Sequence, residues 1–136
     1  MPKPSPEECQ VLLDLAREAR RFAYAPYSKY AVGAAALTDQ GKRICGANIE
    51  NASYSLTICA ERTTMFRALL SQVGKVTALA VSAGKGKPTR PCGACLQVMT
   101  ELAPDLWLIL DDGADGYEML TLPDLLPQPF KYRPKK

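Results

Sequence analysis

At 136 residues the chain suits one hydrophobic core, and its 47% hydrophobic and 23% charged residues are those of an ordinary globular protein. No apolar run approaches the roughly 18 to 20 residues of a helical membrane span, and the proline-rich start Met1–Glu8 lacks the basic-then-apolar pattern of a secretory leader, so a cytoplasmic location is expected. The net charge of +3 is small and gathers at Lys131, Arg133, Lys135 and Lys136, which argues against a nucleic-acid-binding face.

In chain order, Ser5-Pro6-Glu7-Glu8 reads as a helix start, with Ser5 as N-cap, proline at the first helical position and Glu8 closing a capping box. Val11, Leu12, Leu15, Ala16, Ala19, Phe22 and Ala23 then recur at helical spacing, and Ala25-Pro26-Tyr27-Ser28 ends the helix. Tyr30–Thr38 and Arg43–Asn48 read as two strands of a hairpin across the turn Asp39–Lys42. Ile58–Leu70 is helical in pattern, Val76–Ala83 a buried strand, Cys92–Leu102 a helix and Leu106–Leu110 a strand. A short strand near Met119 precedes a proline-rich end. Strands alternating with helices predict βαβ units and a mixed, partly parallel sheet covered by helices. The whole of 1–136 reads as a single domain, with 131–136 a flexible basic tail.

Five cysteines in a chain expected to be cytosolic point to metal or catalysis before disulfides. The complete absence of histidine excludes Ser-His-Asp and Cys-His catalysis, and confines any metal site to thiolates and carboxylates. Two segments carry the chemistry: Cys59-Ala60-Glu61-Arg62 and Pro91-Cys92-Gly93-Ala94-Cys95, each opening a predicted helix. Unpaired N–H groups and the partial positive charge of a helix N-terminus favour thiolate over thiol. Cys92 and Cys95 lie one helical turn apart, and the strand–helix crossover between the two segments brings Cys59 to the same sheet edge. Three thiolates without a fourth ligand suggest Zn2+ with one open position, where a water is acidified. Such a site carries a formal charge below zero, and Arg62 is the candidate that compensates it. Glu61, beside a ligand without being one, is placed as a proton-shuttling general acid and base, the arrangement of zinc deaminases.

Other readings stand beside this one. A C-x-x-C alone also fits a redox pair or a structural metal, and a closed four-cysteine site needs Cys45 or Cys9. Both of these fall within predicted secondary structure and read as small core residues.

Taken together, these segments resemble the homotetrameric zinc-dependent cytidine deaminases. Beyond the two cysteine segments, the resemblance rests on Ala25-Pro26-Tyr27-Ser28, Val32-Gly33-Ala34-Ala35, Asn48-Ile49-Glu50-Asn51-Ala52-Ser53-Tyr54 and Leu125-Leu126-Pro127 to Phe130. It implies a three-layer α/β/α fold on a mixed five-stranded sheet, with zinc at the N-termini of two helices. It implies a pyrimidine nucleoside as substrate and cytidine or 2′-deoxycytidine deamination, a reaction of pyrimidine salvage. Asn48 and Glu50 would hold the ribose, the backbone around Ala60 the pyrimidine carbonyl, and Tyr30 the pocket wall. Sites completed by neighbouring subunits would receive Tyr54 and Phe130 across an interface, with Phe130 capping the base.

The chain departs from the family at Tyr30 (usually Phe), Ser55 (commonly Gly), Arg90 (commonly Ser) and Leu96 (commonly Arg). These departures motivate a rival reading as a deaminase of a modified pyrimidine nucleoside. A non-catalytic zinc-stabilised nucleoside binder is the alternative from another class. A polynucleotide substrate fits poorly with Glu50 and a closing Phe130, so no nucleic-acid partner is expected.

Overall fold

The computed structural model describes residues 2–132; residues 133–136 of the expected basic tail lie outside them. Five strands, β1 Gly33–Thr38, β2 Arg43–Ala47, β3 Val76–Ser82, β4 Trp107–Asp111 and β5 Tyr117–Thr121, form one sheet in the order β2-β1-β3-β4-β5. β3 and β4 pair in parallel; the β1–β2, β1–β3 and β4–β5 pairs are antiparallel.

Strict alternation along the central strands sorts side chains to two faces. Ala35, Ala78, Ala80 and Ile109 pack with Cys9, Leu12, Leu13 and Ala16 of helix α1, Pro6–Ala19. Ala34, Ala36, Leu79, Val81, Leu108 and Leu110 face the opposite way, against Met65, Ala68 and Met99 of α2, Ala60–Ser71, and α3, Gly93–Leu102. The result is the expected three-layer α/β/α arrangement, with α1 on one face and α2 and α3 on the other.

Ser5 caps α1 by accepting from Glu8 N at 3.1 Å. The Glu8 carboxylate turns to Arg43 of β2, at 2.6 and 3.0 Å, so this helix-to-strand ion pair takes the acid expected in a capping box. α1 ends at Ala19 and tightens into a 3-10 turn, Arg20–Phe22, leaving Phe22 69% exposed outside the apolar stripe. A short fourth helix, α4, Leu122–Leu125, was not expected; Thr121 N and Oγ1 both donate to Asp124 Oδ2, at 2.8 and 2.9 Å.

The crossovers position the site. β2 leads into α2 and β3 into α3, on the same face, so both helices begin at the end of the sheet where β2 and β3 finish. Gly46 lets α2 lie close: a Cβ there would stand 2.3 Å from Thr64 Oγ1 and 2.9 Å from Thr64 N. Among the described residues no helix is long and apolar enough to cross a membrane.

Candidate active site

Cys59 is the N-cap of α2 and Cys92 the N-cap of α3, both with extended backbone. Cys92 Sγ accepts from Cys95 N at 3.4 Å, which folds the C-x-x-C segment so that both sulfurs face one point. The Cys92 and Cys95 sulfurs lie 3.4 Å apart, those of Cys59 and Cys92 4.0 Å, and all three fall within 4.8 Å of one another. A tetrahedral ion with metal–sulfur bonds of about 2.3 Å sets its sulfurs about 3.8 Å apart. The donor set therefore fits zinc in both spacing and chemistry, and leaves a fourth position for a non-protein ligand. Cys9 is fully buried in the α1 core and Cys45 half-buried on β2, and neither belongs to this group.

Arg62, in the first turn of α2, directs Nη2 to Cys59 Sγ at 3.5 Å. The Cys59 thiol is drawn down to about 5 by its hydrogen bond with Cys95 and by Arg62, against the opposing effect of burial. The same bond keeps the proton on Cys95, whose thiol is raised. A proton is thus held between Cys59 and Cys95 in the bare triad, and a bound cation would displace it. Among the described residues, Arg62 Nε is buried without a hydrogen-bond partner.

Glu61 is 6% exposed and lines a pocket together with Cys59, Ala60 and Cys92. Burial raises its carboxyl to about 7; the Cys59 charge adds to this, while its own backbone N–H and Arg62 oppose it. A carboxyl poised there exchanges a proton near neutrality.

Tyr30 and Asn48 line the same pocket. The Asn48 amide is engaged at both ends: Nδ2 donates to Tyr30 O at 2.8 Å and Oδ1 accepts from Val32 N at 2.9 Å. Lys87 Nζ sits 5.0 Å from the centre of the Tyr30 ring. Glu50 is buried but does not line the pocket in a single chain. Its carboxylate accepts from Tyr27 N at 3.0 Å, Ser28 N at 3.1 Å and the Ser28 hydroxyl, and that hydroxyl leads the forces holding it below the usual carboxylate range.

Tyr54 and Phe130 are 64% and 73% exposed and stand outside the pocket. Tyr54 meets Tyr27 edge-on at 6.1 Å, and Phe130 O accepts from Gln97 Nε2 at 2.9 Å. Thr57, Val81, Thr89 and Arg90 line the pocket without having been singled out for it in the sequence. Thr57, Thr89 and Arg90 lie in the loops that run into Cys59 and Cys92, and Val81 is near the end of β3. Arg90, a conceivable second cation for the sulfurs, pairs instead with Glu118 at 2.5 Å, and Leu96 is buried in the apolar core.

Residues 6–110 match the family model described as the cytidine and deoxycytidylate deaminase zinc-binding region. The chain is 48% identical over 122 residues to a cytidine deaminase of Halalkalibacterium halodurans, covering 89% of this chain and 92% of that protein. Among solved structures, the cytidine deaminase of Burkholderia pseudomallei aligns with a TM-score of 0.84 at 44% identity, covering 89% of this chain and 98% of that one. The cytidine deaminase of Mycobacterium tuberculosis aligns with a TM-score of 0.79 at 40% identity, covering 90% and 97%.

Proposed function

The chain belongs to the family of zinc-binding cytidine and deoxycytidylate deaminases, and we propose that it hydrolyses cytidine and 2′-deoxycytidine to uridine and 2′-deoxyuridine, releasing ammonia. The observation that carries this reading is the buried Glu61 carboxyl in a pocket it shares with Cys59 and Cys92 of the sulfur triad. Zinc is the family's cofactor and, held by Cys59, Cys92 and Cys95, supplies the Lewis acidity that makes water a nucleophile near neutral pH.

The chain's own residues do the rest. Glu61 takes a proton from the attacking water and passes it to N3 of the ring as the new C4–O bond forms. It then carries the proton of the new C4 hydroxyl to the amino group, so that the C4–N bond breaks, ammonia leaves and the C4 carbonyl forms. The backbone at Ala60, at the N-terminus of α2, offers N–H groups to the pyrimidine carbonyl. Asn48, its orientation fixed by Tyr30 and Val32, keeps one amide hydrogen for a sugar hydroxyl. Glu50 serves the ribose together with the Tyr27–Ser28 turn it holds. Tyr30 forms a wall of the nucleoside pocket, and Arg62 offsets thiolate charge.

We further assign 1–136 to one catalytic domain in a cytoplasmic homotetramer, consistent with five free thiols and with Tyr54 and Phe130 standing exposed for a neighbouring site. Purified protein is expected to abolish the cytosine absorbance of cytidine. Glu61→Ala is expected to lower kcat by about 10²- to 10⁴-fold with the zinc content unchanged. Full turnover in the zinc-loaded variant overturns the role given to Glu61.

A further inference from the structure

The loop between β3 and α3, residues 83–92, supplies Thr89 and Arg90 to the pocket wall and ends at Cys92. Its backbone is held by a residue that does not line that pocket. Asp111, the last residue of β4, is 2% exposed, and its carboxylate accepts from Ser82 Oγ at 2.6 Å, Gly113 N at 3.0 Å, and Arg17 Nε and Nη2 at 3.1 and 3.2 Å. Ser82 Oγ in turn accepts from Gly84 N at 3.2 Å, where the loop departs. The main-chain oxygen of Asp111 accepts from Thr89 N at 3.2 Å, and the Thr89 hydroxyl lies 3.4 Å from that oxygen and from Val81 O. Beyond the strand, Gly113 O accepts from Gly86 N, and a Cβ on Gly113 would stand 2.4 Å from Lys87 N. The buried carboxylate is thus engaged at the loop's departure through Ser82 and at its middle through Gly113, and it fixes the end of β4 whose main-chain carbonyl holds the loop's return at Thr89. Arg17 comes from α1 on the opposite face of the sheet, so the same ion pair ties that layer to the loop.

We propose that Asp111 is a positioning residue of the active site: through Ser82, Gly113 and Thr89 it sets the path of the loop that brings Thr89 to the pocket wall and Cys92 to the sulfur triad. The proposal rests on the deaminase reading for its substrate measurement and on the triad alone for its metal measurement. Burial pushes the Asp111 carboxyl up, but the bonds from Arg17, Ser82 and Gly113 outweigh it and hold the group ionised, as an acceptor of four bonds must be.

Two measurements on the zinc-loaded protein test the proposal: the rate at which zinc passes to a colorimetric chelator without substrate, and KM against kcat for cytidine at saturating zinc. Asp111→Asn is expected to speed zinc release on the order of tenfold, as loss of outer-shell support does, and to raise KM more than it lowers kcat. Ser82→Ala is expected to move both in the same direction by less, and it decides the matter if Asp111→Asn does not fold. Ile109→Val, a neighbouring core change on the α1 face of β4, provides a loss of Tm with no route to the loop. If Ser82→Ala and Asp111→Asn lower Tm as Ile109→Val does while zinc release and KM stay at wild-type values, Asp111 only stabilises the fold and the proposal is overturned. A wild-type protein that ignores cytidine sinks the substrate assignment alone, because zinc release still tests the loop.

Discussion

Arg62 meets the triad where its charge is needed: three thiolates around a divalent ion sum to less than zero, and Nη2 stands 3.5 Å from Cys59 Sγ. Among the described residues its buried Nε has no acceptor, an arrangement that costs about 1–3 kcal/mol for a polar group. The guanidinium is held there by the sulfurs, its hydrogen bond among the described residues being the one to Cys59 Sγ. Leu96 brings no charge, and Arg90 is committed to Glu118. Arg62→Ala is therefore expected to weaken zinc retention on the order of tenfold or to slow turnover by a similar factor; chelator competition and kcat read the two, and no change in either would mean that the charge is balanced elsewhere. The ligands and Glu61 were legible in the sequence because each sits within three residues of a helix start, where a local pattern reports spatial placement. Glu50 was less so. The donors to its carboxylate lie in the turn at Tyr27 and Ser28, and no local periodicity reveals a partner so far away in the chain. Thr57 and Thr89 had only their nearness in the chain to Cys59 and Cys92 to mark them, and Val81, an ordinary strand residue, is given its place by the fold alone.

At the scale of elements, the helix starts at Ser5, Cys59 and Cys92 and the β1–β2 hairpin followed from capping and alternation. Where boundaries moved, hydrogen bonds outside the expected element had taken its backbone groups. β1 was expected from Tyr30 but begins at Gly33, because the Asn48 amide takes Tyr30 O and Val32 N. α2 was expected from Ile58 but begins at Ala60, because Ile58 exchanges two hydrogen bonds of 2.9 Å with Ile49. α4 was passed over as a proline-rich end, although Thr121 with Asp124 three residues later carries a capping signal. The element whose seat matters most to the site is α2, which carries Cys59, Glu61 and Arg62 and rests on Gly46. A methyl at Gly46 meets the Thr64 backbone as well as its hydroxyl, so α2 itself must shift. Gly46→Ala is expected to cost about 1–3 kcal/mol, as overpacking does, and to slow turnover because Cys59 and Glu61 move with the helix. Adding Thr64→Ala removes the nearest clashing atom and should recover part of the lost Tm. An unchanged melting curve for Gly46→Ala would show that α2 is not seated by that contact.

At the scale of the whole molecule, the single chain leaves much apolar surface uncovered: Phe22, Tyr54, Leu56, Leu70, Phe130 and Tyr132 are each more than 60% exposed. Isolated exposed apolar residues are ordinary, but this many large ones on a small chain suit burial against further copies. With Tyr54 and Phe130 outside their own pocket, the homotetramer proposed above makes each active site a joint product of subunits. Light scattering is expected to give four times the 14.8 kDa of one chain. A sharper test uses two inactive parents, since mass alone does not show that a site is shared. On the proposed roles, Glu61→Ala would lack the proton shuttle and Phe130→Ala the cap, while a mixed oligomer would contain sites in which an intact Glu61 from one parent meets Phe130 from the other. If one neighbour supplies Phe130 to each site, unfolding and refolding the two in equal amounts should regenerate about a quarter of the wild-type sites, from random assortment in a closed symmetric assembly. Activity of the co-refolded mixture that stays at the average of the two separately refolded parents would place Phe130 on its own subunit's site, and with it end the case for shared active sites.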